Sequence, residues 1–301
     1  MGAVLQRAAF SPNIRDRMDF SCAVFDAQGE LSAQAAHIPV HLGSMAYAMR
    51  DIVEGLEWRQ GDMVIVNDPF LGGTHLPDVT LIAPVFYDNN LLGFVANRAH
   101  HADIGSETPG SMPLSSSLEE EGLIISPSHL IEAGNLNDAV MGRITGAIRS
   151  GDAGRGDFAA QISANRNGLQ RIDELINVMG TDAFREGLNE LNDYAERLAQ
   201  STLSPIPDGT YEFSDLLDDD GLGDEDLTIK VALRVEQHRV IVDFNGTSPQ
   251  VGGNVNCPLS VAAAAVFYVF RCLMPPHTPV SYTHLRAHET NDLISYAVFC
   301  L

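Results

Sequence analysis

Long apolar runs are missing from this 301-residue chain. No stretch approaches the ~20 apolar residues that a membrane-spanning helix needs. The N-terminal Met1-Gly2-Ala3-Val4-Leu5-Gln6-Arg7 has neither the apolar core nor the cleavage signal of a secretory leader. Cysteine is sparse as well. Cys22, Cys257, Cys272 and Cys300 show no C-x-x-C spacing and are too few for a disulfide framework, which suits buried thiols in a reducing compartment. A cytoplasmic location is therefore expected. Basic residues are scarce, 18 Lys plus Arg against 40 Asp plus Glu, and the formal net charge of −22 excludes a nucleic-acid backbone or an anionic membrane as the expected partner. There is no Gly-x-Ser-x-Gly elbow, no Walker loop and no G-x-G-x-x-G after a strand. If ATP is used, this chain is not the obvious place to bind it.

What is present is enough apolar content, 45%, to bury a large core. Ser21 to Gln34 alternates apolar and polar residues around Asp26-Ala27-Gln28-Gly29, the pattern of a hairpin. Ser44 followed by Met45, Met49, Ile52 and Val53 predicts a short helix that stops near Gly55. Met63 to Val66 reads as a buried strand. Val79 to Tyr87 and Leu91 to Asn97 form a strand pair around Asp88-Asn89-Asn90. Residues 104 to 122 lack periodicity and are expected to be a functional loop near the site. Between 138 and 201 the spacing turns helical, with Gly180-Thr181-Asp182 splitting a helical hairpin whose apolar stripes are core. Beyond Pro205 and Pro207, Tyr211 to Leu217, Leu227 to Val235 and Arg239 to Phe244 predict an antiparallel meander, and Leu259 to Leu273 an apolar helix. The acidic run from Asp215 to Asp226 lacks the ligand alternation of a calcium loop and is read as a solvated turn. The expected class is α+β. Its divisions are a β-rich metal-site region at 1–126, a helical region at 127–207 and a meander plus apolar helix at 208–280.

Five of the ten histidines, His37, His41, His75, His100 and His101, lie between positions 37 and 101. The segment from Asn67 to Asp78 leaves a strand, turns at Gly72 and Gly73, and presents His75 and Asp78 three apart. Asn97 to Asp103 leaves a later strand with His100 and His101. Two strand-end loops can converge at one rim of a sheet. Imidazole and carboxylate ligands together suit a divalent transition ion such as Zn, Mn or Fe, and the lack of thiolates argues against a structural zinc. His75, Asp78, His100 and Asp68 are the expected ligands, and His101, Asp103 and Arg98 the expected catalytic groups. Pro39 excludes a regular helix through His37 and His41, for which structural hydrogen bonding and a substrate-pocket wall are equal alternatives. Polar residues ahead of the first strand, Asp19 among them, are candidate partners of the ligands. Cys22 and Cys257 have no visible base and are poor candidates for nucleophiles.

These blocks, together with Ser11-Pro12-Asn13-Ile14, Asp19-Phe20-Ser21-Cys22, His37-Ile38-Pro39-Val40-His41, Pro109-Gly110-Ser111-Met112-Pro113, Gly156-Asp157-Phe158-Ala159-Ala160-Gln161 and Asp243-Phe244-Asn245-Gly246-Thr247-Ser248, resemble the hydantoinase B/5-oxoprolinase family. The resemblance runs from residue 3 to 280. It implies a two-component, ATP-dependent hydrolase of a small cyclic amide or imide. A hydantoinase A-type subunit binds ATP and Mg and phosphorylates the substrate oxygen, while the B part completes ring opening with a metal. Carried over by position, His75, Asp78 and His100 match the family's metal ligands. Thr74, Arg98 and the backbone around Gly72 and Gly73 are then expected to hold an oxyanion or phosphate. A subunit of an ATP-dependent ketone carboxylase and a non-catalytic scaffold for the A subunit are the alternatives. Family members are longer, so the chain is expected to be a fragment, and Ser281 to Thr290 resembles translated sequencing-adapter read-through. Residues 281–301 are accordingly expected to be a non-native tail following neither a helical nor a strand pattern.

Overall fold

The computed structural model describes residues 1–275 apart from 37, 109, 111 and 238, and the backbone of 286–289 and 296–300. The chain opens with two short helices, α1 (Gly2–Ala8) and α2 (Pro12–Arg15), then the hairpin β1 (Phe20–Asp26) and β2 (Leu31–Ala36). Next come α3 (Pro39–Glu54), β3 (Met63–Val66), a 3-10 turn at Pro69–Leu71, β4 (Asp78–Tyr87) and β5 (Asn90–His100). A one-turn helix α4 (Leu118–Glu121) precedes β6 (Ser128–Glu132), β7 (Asn135–Leu136) and α5 (Asp138–Ala147). The long helices α6 (Gly151–Met179) and α7 (Thr181–Leu203) follow, then β8 (Gly209–Asp219), β9 (Glu225–Glu236), β10 (Arg239–Asp243), α8 (Leu259–Leu273), β11 (Arg286–Glu289) and β12 (Tyr296–Cys300). The class is α+β, as the residue patterns predict. Hairpin, helical pair, meander and apolar helix all appear, and α5 falls in the stretch expected to be helical; the residue patterns do not mark α1, β6 and β7.

One sheet has the antiparallel order β2-β1-β5-β4-β3-β6-β7, and a second runs β11-β12-β10-β9-β8. Asp88 and Asn89 turn β4 into β5 at positive φ, a conformation that Asn and Asp accept at low cost. Side chains alternate faces along a strand, so the first sheet buries two layers. Ala23, Phe25, Ile82, Phe94 and Ala96 pack with Met45 and Met49 of α3 and with Ala263 and Phe267 of α8. Val79, Leu81, Ala83 and Val95 pack with Phe158 and Ile162 of α6. Val235, Val240 and Val242 of the meander join the α3 layer.

The helix expected from Ser44 begins five residues earlier, with Pro39 in its first turn. There the missing N–H costs nothing and the fixed φ is already helical. Ser44 caps nothing: its hydroxyl donates to the Val40 carbonyl one turn back. A Cβ on Gly43 would meet the Cα of Ala264 at 2.5 Å, so glycine is what lets α3 and α8 approach.

Within 281–301, expected to be a tail of neither helical nor strand pattern, the described backbone is strand, with β12 paired to β10 and β11 to β12. Cys22 is buried as expected, whereas Cys257 and Cys272 are exposed. Among the described residues no helix is long and apolar enough to cross a membrane.

Candidate metal centre

The site forms where β4 begins and β5 ends. The register sets Asp78 across from His100 and Thr80 across from Arg98, while β1 pairs Ser21 with Arg98 and Phe20 with Ala99. Asp19, one residue before β1, therefore falls beside His100, and the His100 N–H donates to the Asp19 carbonyl at 2.9 Å. Alternation sends His100 and Arg98 to the α3 face, and His101 and Asn97 to the α6 face. His75 arrives from the turn that leaves β3, and Asn67 fixes that turn by donating to the carbonyls of Leu76 at 2.7 Å and Leu123 at 2.9 Å.

His75 Nε2 lies 3.1 Å and His100 Nδ1 3.3 Å from Asp78 Oδ1, and the two nitrogens are 3.2 Å apart. Three ligand atoms about 2.1 Å from one ion stand roughly this far from one another in tetrahedral or octahedral coordination. Asp78 Oδ1 is buried without a directed hydrogen-bond donor, because the two imidazoles stand near it but off the hydrogen-bond direction. Such an orphaned carboxylate oxygen is costly unless a cation or another partner completes it. The His/His/Asp donor set suits a borderline divalent ion, and the residues fit one. Asp78 is buried while His75 is 36% exposed, so the cluster opens to solvent on the His75 side.

Asp78 Oδ2 is satisfied differently. Thr74 donates to it, and His41 Nε2 lies 3.2 Å away. A second group of mutually close donors, Asp19, His41 and Asp78, shares this carboxylate. Burial drives the Asp78 carboxyl pKa up, but the imidazoles of His41, His100 and His75 outweigh burial and hold it well below the usual range. Burial pulls the His75 imidazole down, and the close Asp78 carboxylate together with the Asp19 charge more than reverses it, leaving its pKa raised.

The other expected site residues have different company. Arg98 is buried with all three nitrogens engaged, on Thr80 Oγ1 at 2.8 Å, Ser44 Oγ at 2.6 Å and the Gly72 carbonyl at 2.9 Å. Burial lowers its pKa to about 10, against the Asp78 charge that raises it. A guanidinium so occupied acts as a clamp on the turn behind the cluster, whatever else was expected of it. His101 stacks on Phe158, with centroids 4.1 Å apart, and bonds Gln161 Oε1 at 2.9 Å, on the face of the sheet away from the cluster. Burial lowers its pKa. Asp103 accepts from the N–H groups of Gly105, Arg149 and Ser150 at the start of α6. Asp68 caps the 3-10 turn through the Phe70 N–H at 3.0 Å and is outside the cluster. Neither aspartate takes the role expected of it.

Gly72 adopts φ +88°, and a Cβ there would overlap the Ala48 Cβ at 1.7 Å; its carbonyl serves Arg98 and that of Gly73 serves Ser260. These glycines shape the turn through packing. His41 is buried against Ser21 and Asp78 and lines no open pocket. His37 lies outside the described residues. The 104–122 loop does reach the site. Leu123 is tied to the His75 turn by Asn67, and two residues earlier Glu121, raised in pKa by burial, feels the His75 charge. Residues overlooked in the sequence are Ser21, Ser44 and Thr80, neutral hydroxyls with no spacing signal; the period-2 alternation of β1 and β4 puts Ser21 and Thr80 on the site face. Burial pushes the Cys22 thiol up to about 12 and raises that of Cys257, so neither thiol is activated as a nucleophile.

The sequence model described as Hydantoinase B/oxoprolinase matches residues 1–291, beyond the boundary expected at 281. The chain belongs to the hydantoinase B/oxoprolinase family. An uncharacterized protein of Methanocaldococcus jannaschii is 39% identical over 290 residues, covering 94% of this chain and 50% of that protein. A 5-oxoprolinase of Dictyostelium discoideum is 35% identical over 291 residues, covering 93% of this chain and 23% of that protein. Among solved structures, the ATP-dependent caprolactamase from Pseudomonas jessenii superposes with a TM-score of 0.79 at 30% identity, covering 83% of this chain and 43% of that one. The chain thus spans half or less of the length of these relatives.

Proposed function

We propose that this chain is the metal-binding B component of an ATP-dependent cyclic amide hydrolase, with His75, Asp78 and His100 holding a divalent transition ion, Zn, Mn or Fe. The observation that carries this reading is the convergence of three ligand atoms, mutually 3.1 to 3.3 Å apart, on an Asp78 oxygen that no protein donor satisfies. Relatives named 5-oxoprolinase and ATP-dependent caprolactamase support the substrate class, a small cyclic amide or imide. An ion in this place supplies Lewis acidity toward a substrate oxygen or a water.

The chain's own residues do the rest. Asp78, held from behind by Thr74 and His41, and His100, whose backbone N–H is anchored on the Asp19 carbonyl, keep a donor set on the buried side. The half-exposed His75 marks the side from which substrate enters. A lactam carbonyl is a poor electrophile whose oxygen is a poor leaving group until it is phosphorylated, so activation belongs to a hydantoinase A-type subunit carrying ATP and Mg. This chain has no nucleotide-binding loop of its own to supply it. Metal analysis of the purified chain, with His75→Ala beside it, is the first test. The expected result is a transition ion that His75→Ala strips, and unchanged content would sink the site. ATP turnover with the cognate A subunit across hydantoins, 5-oxoproline and ketones is the second. Stimulation by a cyclic amide is expected, and stimulation by ketones alone would overturn the substrate class.

A further inference from the structure

We propose that Ser21 and His41 form a positioning relay that locks the Asp78 carboxylate with one oxygen toward the metal centre; this rests on reading His75, Asp78 and His100 as that centre. His41 sits in the first turn of α3 and is wholly buried. Its Nε2 is 3.2 Å from Asp78 Oδ2, and its Nδ1 is 3.1 Å from Ser21 Oγ. Ionised Asp78 only accepts, so the His41 proton on that side sits on Nε2, and in the neutral ring Nδ1 accepts from the Ser21 hydroxyl. Asp78 thereby fixes the tautomer, and the Ser21 hydroxyl, donating to the Nδ1 that this leaves unprotonated, holds the ring in that orientation.

The two oxygens of Asp78 are treated unequally. Oδ2 takes Thr74 and His41, while Oδ1 has no directed donor and faces His75 and His100. Rotation of the carboxylate would exchange them, and donors on Oδ2 oppose that rotation. The backbone of His41 is itself anchored, with Gln34 Nε2 donating to its carbonyl at 3.2 Å. Ligating carboxylates draw affinity from such partners, because an oriented ligand loses less freedom when the ion binds. The competing arrangement makes His41 a ligand of a second ion between Asp19 and Asp78, whose donor atoms lie within 4.8 Å of one another. It would have to take the Nε2 proton out of the His41–Asp78 contact that the structure has formed and turn the Ser21 hydroxyl from donor to acceptor at Nδ1.

The test is Zn(II) affinity by competition with a chromophoric chelator, ion stoichiometry, and the visible spectrum of the Co(II) form. It uses the 301-residue chain and its His41→Leu, His41→Gln, Ser21→Ala and His75→Ala variants. One ion per chain is expected, lost in His75→Ala. His41→Leu should weaken Zn(II) by about 10 to 100-fold while still binding one ion with an altered Co(II) spectrum. His41→Gln, whose amide N–H can stand where Nε2–H stood, should recover most of the affinity, and Ser21→Ala should fall between. Wild-type affinity in both His41→Leu and Ser21→Ala, with His75→Ala still defective, would overturn the relay and leave the metal site standing. Unaffected binding in His75→Ala would overturn the metal site beneath it. Two ions per chain, reduced to one by His41→Leu, would make His41 a ligand and also end the proposal. Should His41→Leu fail to fold, Ser21→Ala decides: wild-type affinity there overturns the relay.

Discussion

Arg98 shows how a charged side chain beside a reactive cluster can be wholly structural. It lies under the turn that carries His75 and spends its donors on one carbonyl and two hydroxyls, from Gly72, Ser44 and Thr80. No carboxylate lies within ion-pair distance of it among the described residues, so its charge is balanced at longer range by Asp78. Replacing it with methionine takes a charged donor away from three buried oxygens, of which, among the described residues, only Ser44 Oγ keeps another hydrogen bond, to the Val40 carbonyl, at a cost of about 1 kcal/mol or more each. Arg98→Met is therefore expected to lose roughly 3 kcal/mol of stability in urea titrations of ion-free protein. A loss below about 0.5 kcal/mol, the range of ordinary surface substitutions, would remove the clamp. Arg98 and His100 share a face because they are two apart on β5, and the same rule exiles His101. The doublet His100-His101 thus sends one imidazole to the cluster, and the register with Asp78 says which.

At the scale of elements, α6 begins without a capping side chain of its own, and Asp103 from the preceding loop takes that place. Burial raises the Asp103 pKa, but the N–H groups of Gly105, Arg149 and Ser150 outweigh it and lower it below the ordinary carboxylate value. A folded-state pKa below the unfolded one means that the contribution is present above the unfolded value near 3.9 and is lost as pH falls through the folded value. Asp103→Asn should cost about 1 kcal/mol at pH 7, as other lost helix caps do. Its deficit relative to the parent chain should shrink as unfolding is measured at pH 4 and below. A deficit constant with pH would show that the charge contributes nothing. The long α6, so anchored, presents Gln161 and Asn165 to the sheet, where they bond Asn97 and the Val79 and Leu81 carbonyls and set the height of the helix over β4 and β5.

Over the whole molecule, the site joins segments that are distant in the chain. Asp19, His41, Asp78 and His100 meet only after β1, β4, β5 and α3 have packed, so an ion held at the proposed site would be linked to folding. A ligand that binds only the folded chain stabilises it by RT ln(1 + [L]/Kd), about 2.7 kcal/mol at a hundredfold excess over Kd. Added Zn(II) or Mn(II) should raise the thermal midpoint of the chain and leave that of His75→Ala unmoved. Equal shifts in both would locate the ion elsewhere. The meander adds its own support, since Val235, Val240 and Val242 pack in the layer that holds α3, the helix carrying His41, against the sheet.

Much of this was legible in the residue order. Continuous apolar runs mark β3 and β4, which are buried on both faces, and the apolar α8, while α6 and α7 show the 3.6-residue period that burial of one helical face imposes. That His75, Asp78 and His100 are candidate ligands was legible too, since ligand chemistry confines candidate metal sites to few residue types, and the structure brings these three side chains together. What the order of residues leaves open is which neighbour each polar side chain meets. Ser21, Thr80 and Ser44 carry no periodic signal, and Arg98 as text looks as free to act as any arginine. Pairing of β1, β4 and β5 decided that Arg98 is enclosed, that His101 faces α6, and that His41 backs a carboxylate. Strand register and helix packing are properties of segments far apart in the chain, so only the tertiary structure set them.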